Sequence, residues 1–395
     1  MRLLIVSHTP HYQKGDAFVG WGPTIREIDY LAQVFDRVVH VAPLHPEAAP
    51  ASALPYASKR VFLRPVQPAG GEALLEKLNI FRAVPQYLRT INREMRQCDV
   101  VHVRCPAGIS LLAIVALGAV RQPRYRWVKY AGNWKPSSGE AWSYTFQRWW
   151  LQKRLHRGIV SVNGRWPGQP KHVYSFLNPS LTLAELRDSQ DMGKAKKFHP
   201  PFYLLFVGRV ETAKGAGRVM QIARELKNNG LDFVVDFIGD GPERPAFEAW
   251  SQEHGLASCL TFHGWLPRPA LADFYARAHF LVFPSDSSEG WPKVLSEAMA
   301  FGAVPIAGAV SSIPQILAET GAGVALLPLD VNAFVKAVLD YAAHPGRWQA
   351  ASRAGMAAAP RFTYEHYLQV LSQTFCDAWG IELRRINISK GQKHE

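Results

Sequence analysis

The chain has 395 residues, 48% apolar and 11% aromatic, enough to bury the cores of two ordinary domains and too apolar for disorder or a fibrous repeat. Its net charge of +13 lies at one end: residues 1–180 carry 24 Lys and Arg against 10 Asp and Glu, a balance of +14, while residues 181–395 carry 21 against 22. Four scattered cysteines (Cys98, Cys105, Cys259, Cys376) exclude a disulfide-stapled fold, and the longest apolar run, 108–120, is short of the ~20 residues that span a bilayer.

The opening MRLLIVSHTP is too short an apolar stretch for a signal peptide, so a cytoplasmic protein is expected. Along the first half, β-branched runs at 3–7, 38–42, 100–103, 127–130, 159–162 and 172–176 read as strands. In the second half they fall at 203–207, 234–238, 260–263, 280–283, 304–307 and 324–327. Helical patterns separate them, which predicts parallel sheets of βαβ units, and two such series predict two doubly wound domains, 1–185 and 200–360. The boundary is expected within 178–201, where a polar, Lys-rich segment at 187–197 precedes Pro200-Pro201. Helical periodicity returns at 363–379, and the tail 390–395 is polar.

The densest basic stretch, 121–157, holds nine Lys and Arg, one acid (Glu140) and nine aromatics, among them Trp127, Trp134, Trp142, Trp149 and Trp150. Aromatics of this kind favour a membrane's polar boundary and cations its anionic headgroups, so the stretch reads either as a peripheral membrane surface or as a solvated helix with inward aromatics. Nucleic acid is disfavoured, because no zinc finger or RNP1-like segment accompanies the charge. No metal site is visible: His8 and His11 sit in an expected loop without an acidic cluster, and no D-x-D motif ends a strand.

The most informative segment is FLVFPSDSSEGWPKVLSEAMAFGAVPIAG, 280–308. A buried strand ends at Pro284, a polar loop follows, and Pro292 suits the first position of a helix. The amides of Lys293 and Val294 would then face out of a helix N-terminus, a place suited to phosphate. Glu289 and Glu297 frame the turn. Eight residues of helix rise ~12 Å, wider than the ~5–9.5 Å between the paired carboxylates of glycosidases, so shared acid–base work on one bond is disfavoured. The spacing suits carboxylates that accept hydrogen bonds from hydroxyls at two ends of an extended ligand.

This segment resembles the Glu-x7-Glu signature of retaining glycosyltransferases of family 4, which have the GT-B fold: two Rossmann-like domains facing a central cleft. The resemblance places Glu289 on the donor sugar's hydroxyls and Glu297 on the nucleotide's ribose, with Gly290 and Trp291 among the donor-binding residues. Residues 206–215, FVGRVETAKG, are similar to the family's G-R-x-x-x-x-K-G element, whose two cations, here Arg209 and Lys214 after Gly208, grip the diphosphate. Glu289, Arg209 and Lys214 thus become the expected catalytic residues. Gly239 and Gly241 match a further turn that brings backbone close to the ligand, and Trp265 with Leu266 would frame the base. In the first half FVGWGPT, 18–24, resembles the glycine loop that faces the donor, with Gly22 on the donor side and Gly20 on the acceptor side. Its spacing lacks the third glycine of a dinucleotide fingerprint, which disfavours a dehydrogenase.

Several positions depart from the family pattern. An H-x-H element reads His102-Val-Arg104, a later H-G pair reads Gly132-Asn133, and a G-G-x-P-E element reads Ser312-Ile-Pro-Gln315. Arg104 and Asn133 are therefore the acceptor-side candidates. The resemblance implies a metal-independent hexosyltransferase that moves a sugar from a UDP- or GDP-sugar to a saccharide or lipid-linked acceptor, in bacterial polysaccharide or glycolipid assembly. It also implies a helix at 365–390 packed on the first domain. A GT-B nucleotide-sugar epimerase, or a non-catalytic nucleotide-sugar or polyanion binder, are the rival readings.

Overall fold

A computed structural model describes residues 1–69, 74–135 and 140–384. The chain divides into two compact units, one formed by Met1–Leu177 with Tyr367–Glu395 and the other by Asn178–His366.

In the first unit the elements run β1 (Arg2–Val6), β2 (His11–Lys14), β3 (Ala17–Trp21), α1 (Gly22–Val34), β4 (Arg37–His45), β5 (Ala53–Pro55), β6 (Val61–Val66) and α2 (Leu74–Met95). They continue with β7 (Val100–Cys105), α3 (Gly108–Ala119), β8 (Tyr125–Tyr130), α4 (Trp142–Gln152), β9 (Ile159–Asn163) and β10 (Val173–Phe176). The strands follow the order β10-β9-β8-β7-β1-β4-β2-β3-β5, with β6 also paired to β4. Strand β1 is parallel to both β4 and β7. Because successive side chains of a strand face opposite ways, Leu4 and Val6 pack with residues of α2 and α3, while Leu3 and Ile5 pack with Ile28 and Leu31 of α1. Both faces are covered, which explains the unbroken apolar run RLLIV.

The residues expected to form a glycine loop are instead strand β3, antiparallel to β2, and the first turn of α1. His11, expected in a loop, lies in β2 and is buried. Short length and a polar partner strand, HYQK, hid this hairpin from periodicity.

The second unit begins with α5 (Leu183–Lys194) and continues β11 (Phe202–Val207), α6 (Ala216–Asn228), β12 (Phe233–Ile238), α7 (Arg244–Glu253), β13 (Leu260–Gly264), α8 (Arg268–Arg277), β14 (Phe280–Phe283) and α9 (Lys293–Ala300). Then follow β15 (Val304–Gly308), α10 (Ile313–Thr320), β16 (Val324–Leu326), α11 (Val331–Ala343), α12 (Pro345–Ala358) and α13 (Tyr364–Trp379). All six strands are parallel, in the order β13-β12-β11-β14-β15-β16. Chain order reverses between β11 and β14, the topological switch point where open α/β sheets take ligands.

The division falls between Leu177 and Asn178, at the start of the expected 178–201, and most of the polar segment at 187–197 is the end of α5 in the second unit. Thr182 and Glu185 cap it reciprocally, each side chain taking the other's backbone amide. From Tyr367 onward α13 belongs to the first unit, where Leu368, Leu371 and Phe375 are fully buried beside Leu3, Ile5 and Trp127. Residues 385–390 of the expected terminal helix and the tail 390–395 lie outside the described residues, as do 136–139 of the basic stretch.

Candidate active site

The turns that follow β11 and β14 meet at the switch point. Beyond β11, Gly208 and Arg209 lead into a single 3-10 turn, Thr212–Lys214, which ends at Gly215 in the left-handed region with φ 86°. A side chain at Gly215 would lie 2.5 Å from the Pro284 carbonyl oxygen, so the two turns touch backbone to backbone. That contact delivers Lys214 to the β14 loop. Its ammonium pairs with the Glu289 carboxylate and donates to Ser287 Oγ at 3.2 Å. Burial holds the Lys214 ammonium below its ordinary value; the Arg209 charge adds to this and Glu211 opposes it. Arg209 itself is exposed and reaches Glu211 at 3.0 Å.

Ser285 and Ser287 bond through their hydroxyls at 2.7 Å, and Arg218 of α6 grips Asp286 at 2.9 Å and the Pro284 carbonyl at 2.7 Å. Ser312 Oγ donates to the Gly290 carbonyl at 2.6 Å. These residues shape the loop that carries Glu289, although no motif marked Arg218 or Ser287. The signal for Ser312 was its place in the departing G-G-x-P-E element.

Pro292 is the cap rather than the first helical residue of α9; its ψ of 126° is extended, and Lys293 and Val294 occupy the first two helical positions. Amides there have no acceptor within their own helix. The Lys293 ammonium lies over the Tyr364 ring, 5.5 Å from its centroid. One turn further along α9, Glu297 is buried, with one carboxylate oxygen bound by Arg268 at 2.6 Å and the other by the Tyr275 hydroxyl at 2.9 Å.

Trp291 is 2% exposed and stacks on Phe362 at 5.2 Å, so it is core packing and offers no ring to a ligand. Gly239 and Gly241 leave space for neighbouring backbone: a Cβ would lie 1.9 Å from the Gly208 carbonyl oxygen in one case and 2.4 Å from that of Val210 in the other. They hold the β12 turn against the β11 turn. Trp265, by contrast, is exposed just beyond β13.

The first unit's candidates are occupied internally. A Cβ on Gly20 would meet the His11 ring at 2.8 Å, and the Gly22 amide donates to the Ser52 carbonyl at 3.2 Å. Arg104 forks onto Glu27 at 2.8 and 3.3 Å, and Lys129 meets the same carboxylate at 2.7 Å. Asn133 Oδ1 accepts the Lys135 amide at 3.1 Å, turning its own loop. His102, in the H-x-H position, is fully buried and stacks on Trp127 with centroids 3.6 Å apart. Among the described residues no group of three or more His, Cys, Asp or Glu is placed to hold a metal ion, and no helix is long and apolar enough to cross a membrane.

Residues 188–357, all within the second unit, match the family model described as glycosyl transferases group 1. Among curated relatives, the 2-deoxystreptamine glucosyltransferase of Streptomyces kanamyceticus is 30% identical over 177 residues, 42% of this chain and 46% of that protein. The chain spans half or less of the length of the curated relatives it matches. Solved structures share the fold over nearly the whole chain. Sucrose-phosphate synthase from Thermosynechococcus elongatus covers 96% of this chain and 99% of its own at TM-score 0.70 and 18% identity. Anabaena HepE in complex with UDP covers 95% and 100% at TM-score 0.67 and 13% identity. The fold is α/β of the GT-B class.

Proposed function

We propose that this protein is a retaining glycosyltransferase that moves a sugar from a UDP- or GDP-sugar to a hydroxyl of a saccharide or lipid-linked saccharide, in bacterial cell-surface polysaccharide or glycolipid synthesis. One observation carries the reading: Lys214, Glu289 and the first turn of α9 converge at the switch point of a glycosyltransferase group 1 domain. HepE, of the same fold, was solved with UDP.

Sugar transfer expels a nucleoside diphosphate, and negative charge grows on its bridging oxygen as the bond breaks. Lys214, Arg209 and the α9 amides stabilise that charge, which is worth most where donors are already in place. In this reading they supply the positive charge without a metal. Glu289 accepts hydrogen bonds from the sugar's hydroxyls, Glu297 from the ribose. The acceptor hydroxyl attacks on the face the diphosphate leaves, and the departing oxygen takes its proton, so anomeric configuration is retained. The second unit binds the donor; the basic first unit takes the acceptor at the cytoplasmic face of a membrane.

The test is a panel of nucleotide sugars with saccharide and lipid-linked acceptors, following nucleoside diphosphate release and the product's anomeric configuration. Acceptor-dependent release with retention is the expected result. Release that ignores the acceptor would indicate an epimerase-type enzyme, and binding without release a non-catalytic binder; either overturns the reading.

A further inference from the structure

The Glu297 carboxylate is held in an unusual way for a group 7% exposed. Its partners among the described residues are two, Arg268 Nη1 on Oε1 at 2.6 Å and the Tyr275 hydroxyl on Oε2 at 2.9 Å. An ionised carboxylate offers about four acceptor positions, so roughly half remain, one on each oxygen. Both donors stand on α8, seven residues apart and therefore on one face. Arg268 is itself fixed on every nitrogen: Nε donates to Glu185 Oε1 at 2.7 Å and Nη2 to the Ser180 carbonyl at 2.7 Å. Tyr275 is 2% exposed, and burial, followed by the Glu297 charge, pushes its phenol well above the ordinary value, so it stays a donor.

We propose that Arg268 and Tyr275 are positioning residues for the nucleotide: they lock the Glu297 carboxylate so that its two remaining acceptor positions meet the two adjacent hydroxyls of a ribose, making the site selective for ribonucleotides over 2′-deoxyribonucleotides. The inference rests on the nucleotide-sugar reading. A vicinal diol presents two donors side by side, matching two oxygens of one fixed carboxylate; a 2′-deoxyribose presents one and leaves the other oxygen short of a partner in a buried place. Neither Arg268 nor Tyr275 touches the nucleotide in this arrangement; each acts through Glu297. Arg268 belongs to no motif, and its link to Glu297 spans 29 residues of chain.

Titration calorimetry with UDP, GDP and their 2′-deoxy counterparts tests the proposal on the full-length protein. The wild type should bind the preferred ribonucleotide about tenfold more tightly than its deoxy form, the scale of one hydrogen bond to a charged group. Tyr275→Phe removes one hydroxyl and little volume, and should bring that ratio close to one. Arg268→Lys, keeping the charge but losing the fork, should do the same in part. Neither substitution should change the ratio further in a Glu297→Gln background. Melting curves identify any variant that fails to fold. A Tyr275→Phe protein that keeps the wild-type ratio, or weakens both forms equally, makes the pair a structural tether and overturns the proposal while leaving the nucleotide reading intact. Equal affinity of the wild type for ribo and deoxy forms overturns it too. A wild type that binds no diphosphate overturns both.

Discussion

At the scale of single residues, the Lys214–Glu289 pair sets a competition. The cation assigned to the diphosphate is already neutralised by the carboxylate assigned to the sugar. A diphosphate that takes Lys214 must draw it from Glu289. Glu289→Gln should therefore tighten UDP or GDP binding even as turnover falls, by no more than several-fold, because half-exposed pairs are worth at most about 1 kcal/mol. Calorimetry reads this directly, and unchanged or weaker diphosphate binding would refute it. A second residue-scale consequence lies in the first unit. Thr9 O faces His11 Nδ1 at 2.9 Å; His11 Nε2 and His40 Nδ1 share the Tyr56 hydroxyl at 2.7 and 2.6 Å; His40 Nε2 meets Ser7 Oγ at 2.7 Å. A carbonyl can only accept, so neutral His11 carries its proton on Nδ1, Tyr56 donates to Nε2, and His40 donates from Nδ1. Burial lowers His11 to about 4, and burial, then His11 and Arg104, holds His40 well below its ordinary value. Both groups take up protons more readily unfolded, near pH 6.5, than folded. Their contribution is complete above about 6.5 and fades as pH falls towards 4, by up to about 1.4 kcal/mol per unit for each ring. Denaturant midpoints should drop across that window, and His11→Gln should flatten the drop; parallel curves for the two proteins would count against the relay.

At the scale of elements, helix α5 shows what local capping does. Thr182 and Glu185 satisfy one another's amides, and Glu185 also receives Arg268 at 2.7 Å, tying α5 to α8. Thr182→Ala should cost about 1 kcal/mol, the usual loss for such a cap, measurable as a lower midpoint in urea. A variant as stable as the wild type would mean the helix is held by tertiary contacts alone. The same helix shows where the sequence was hard to read: its charges suggested a domain boundary, although Thr-x-x-Glu was present as a start signal. Twelve of the parallel strands were legible because each is a short apolar run, and the loop carrying Glu289 was legible because it joins a strand to a helix through Pro292. Strands β2, β3, β5 and β6 were not: all are partly exposed, β2, β3 and β5 are short, and β6 carries Arg64 and Pro65. Nor were Arg268, Tyr275 or the His11–His40–Tyr56 relay, since each depends on partners brought together by tertiary folding. Trp291 sits in a functional-looking motif, yet only burial reveals it as core.

At the scale of the molecule, the charge asymmetry acquires a location. Of the five tryptophans in 121–157, Trp127 and Trp134 are buried in the first unit, whereas Trp142 and Trp149 stand exposed on α4, seven residues apart, with Phe146 between them. Directly after α4 come Lys153, Arg154 and Arg157, all exposed, and both arginines adopt left-handed backbone, φ 56° and 59°, a conformation that costs a non-glycine residue energy. Exposed indoles beside outward cations fit an interface that inserts aromatics at the headgroup level of an anionic bilayer. A surface held this way has a defined salt response, because each cation near such a bilayer contributes about 1 kcal/mol and the field decays within a Debye length. The protein should float with vesicles containing phosphatidylglycerol at low salt. It should lose roughly 10- to 100-fold in partitioning when Lys153, Arg154 and Arg157 become Gln, and be released by Trp142→Ser with Trp149→Ser even where the charges remain. Equal partition into neutral and anionic vesicles, indifferent to salt and to both sets of substitutions, would assign the basic excess to a soluble polyanionic acceptor instead.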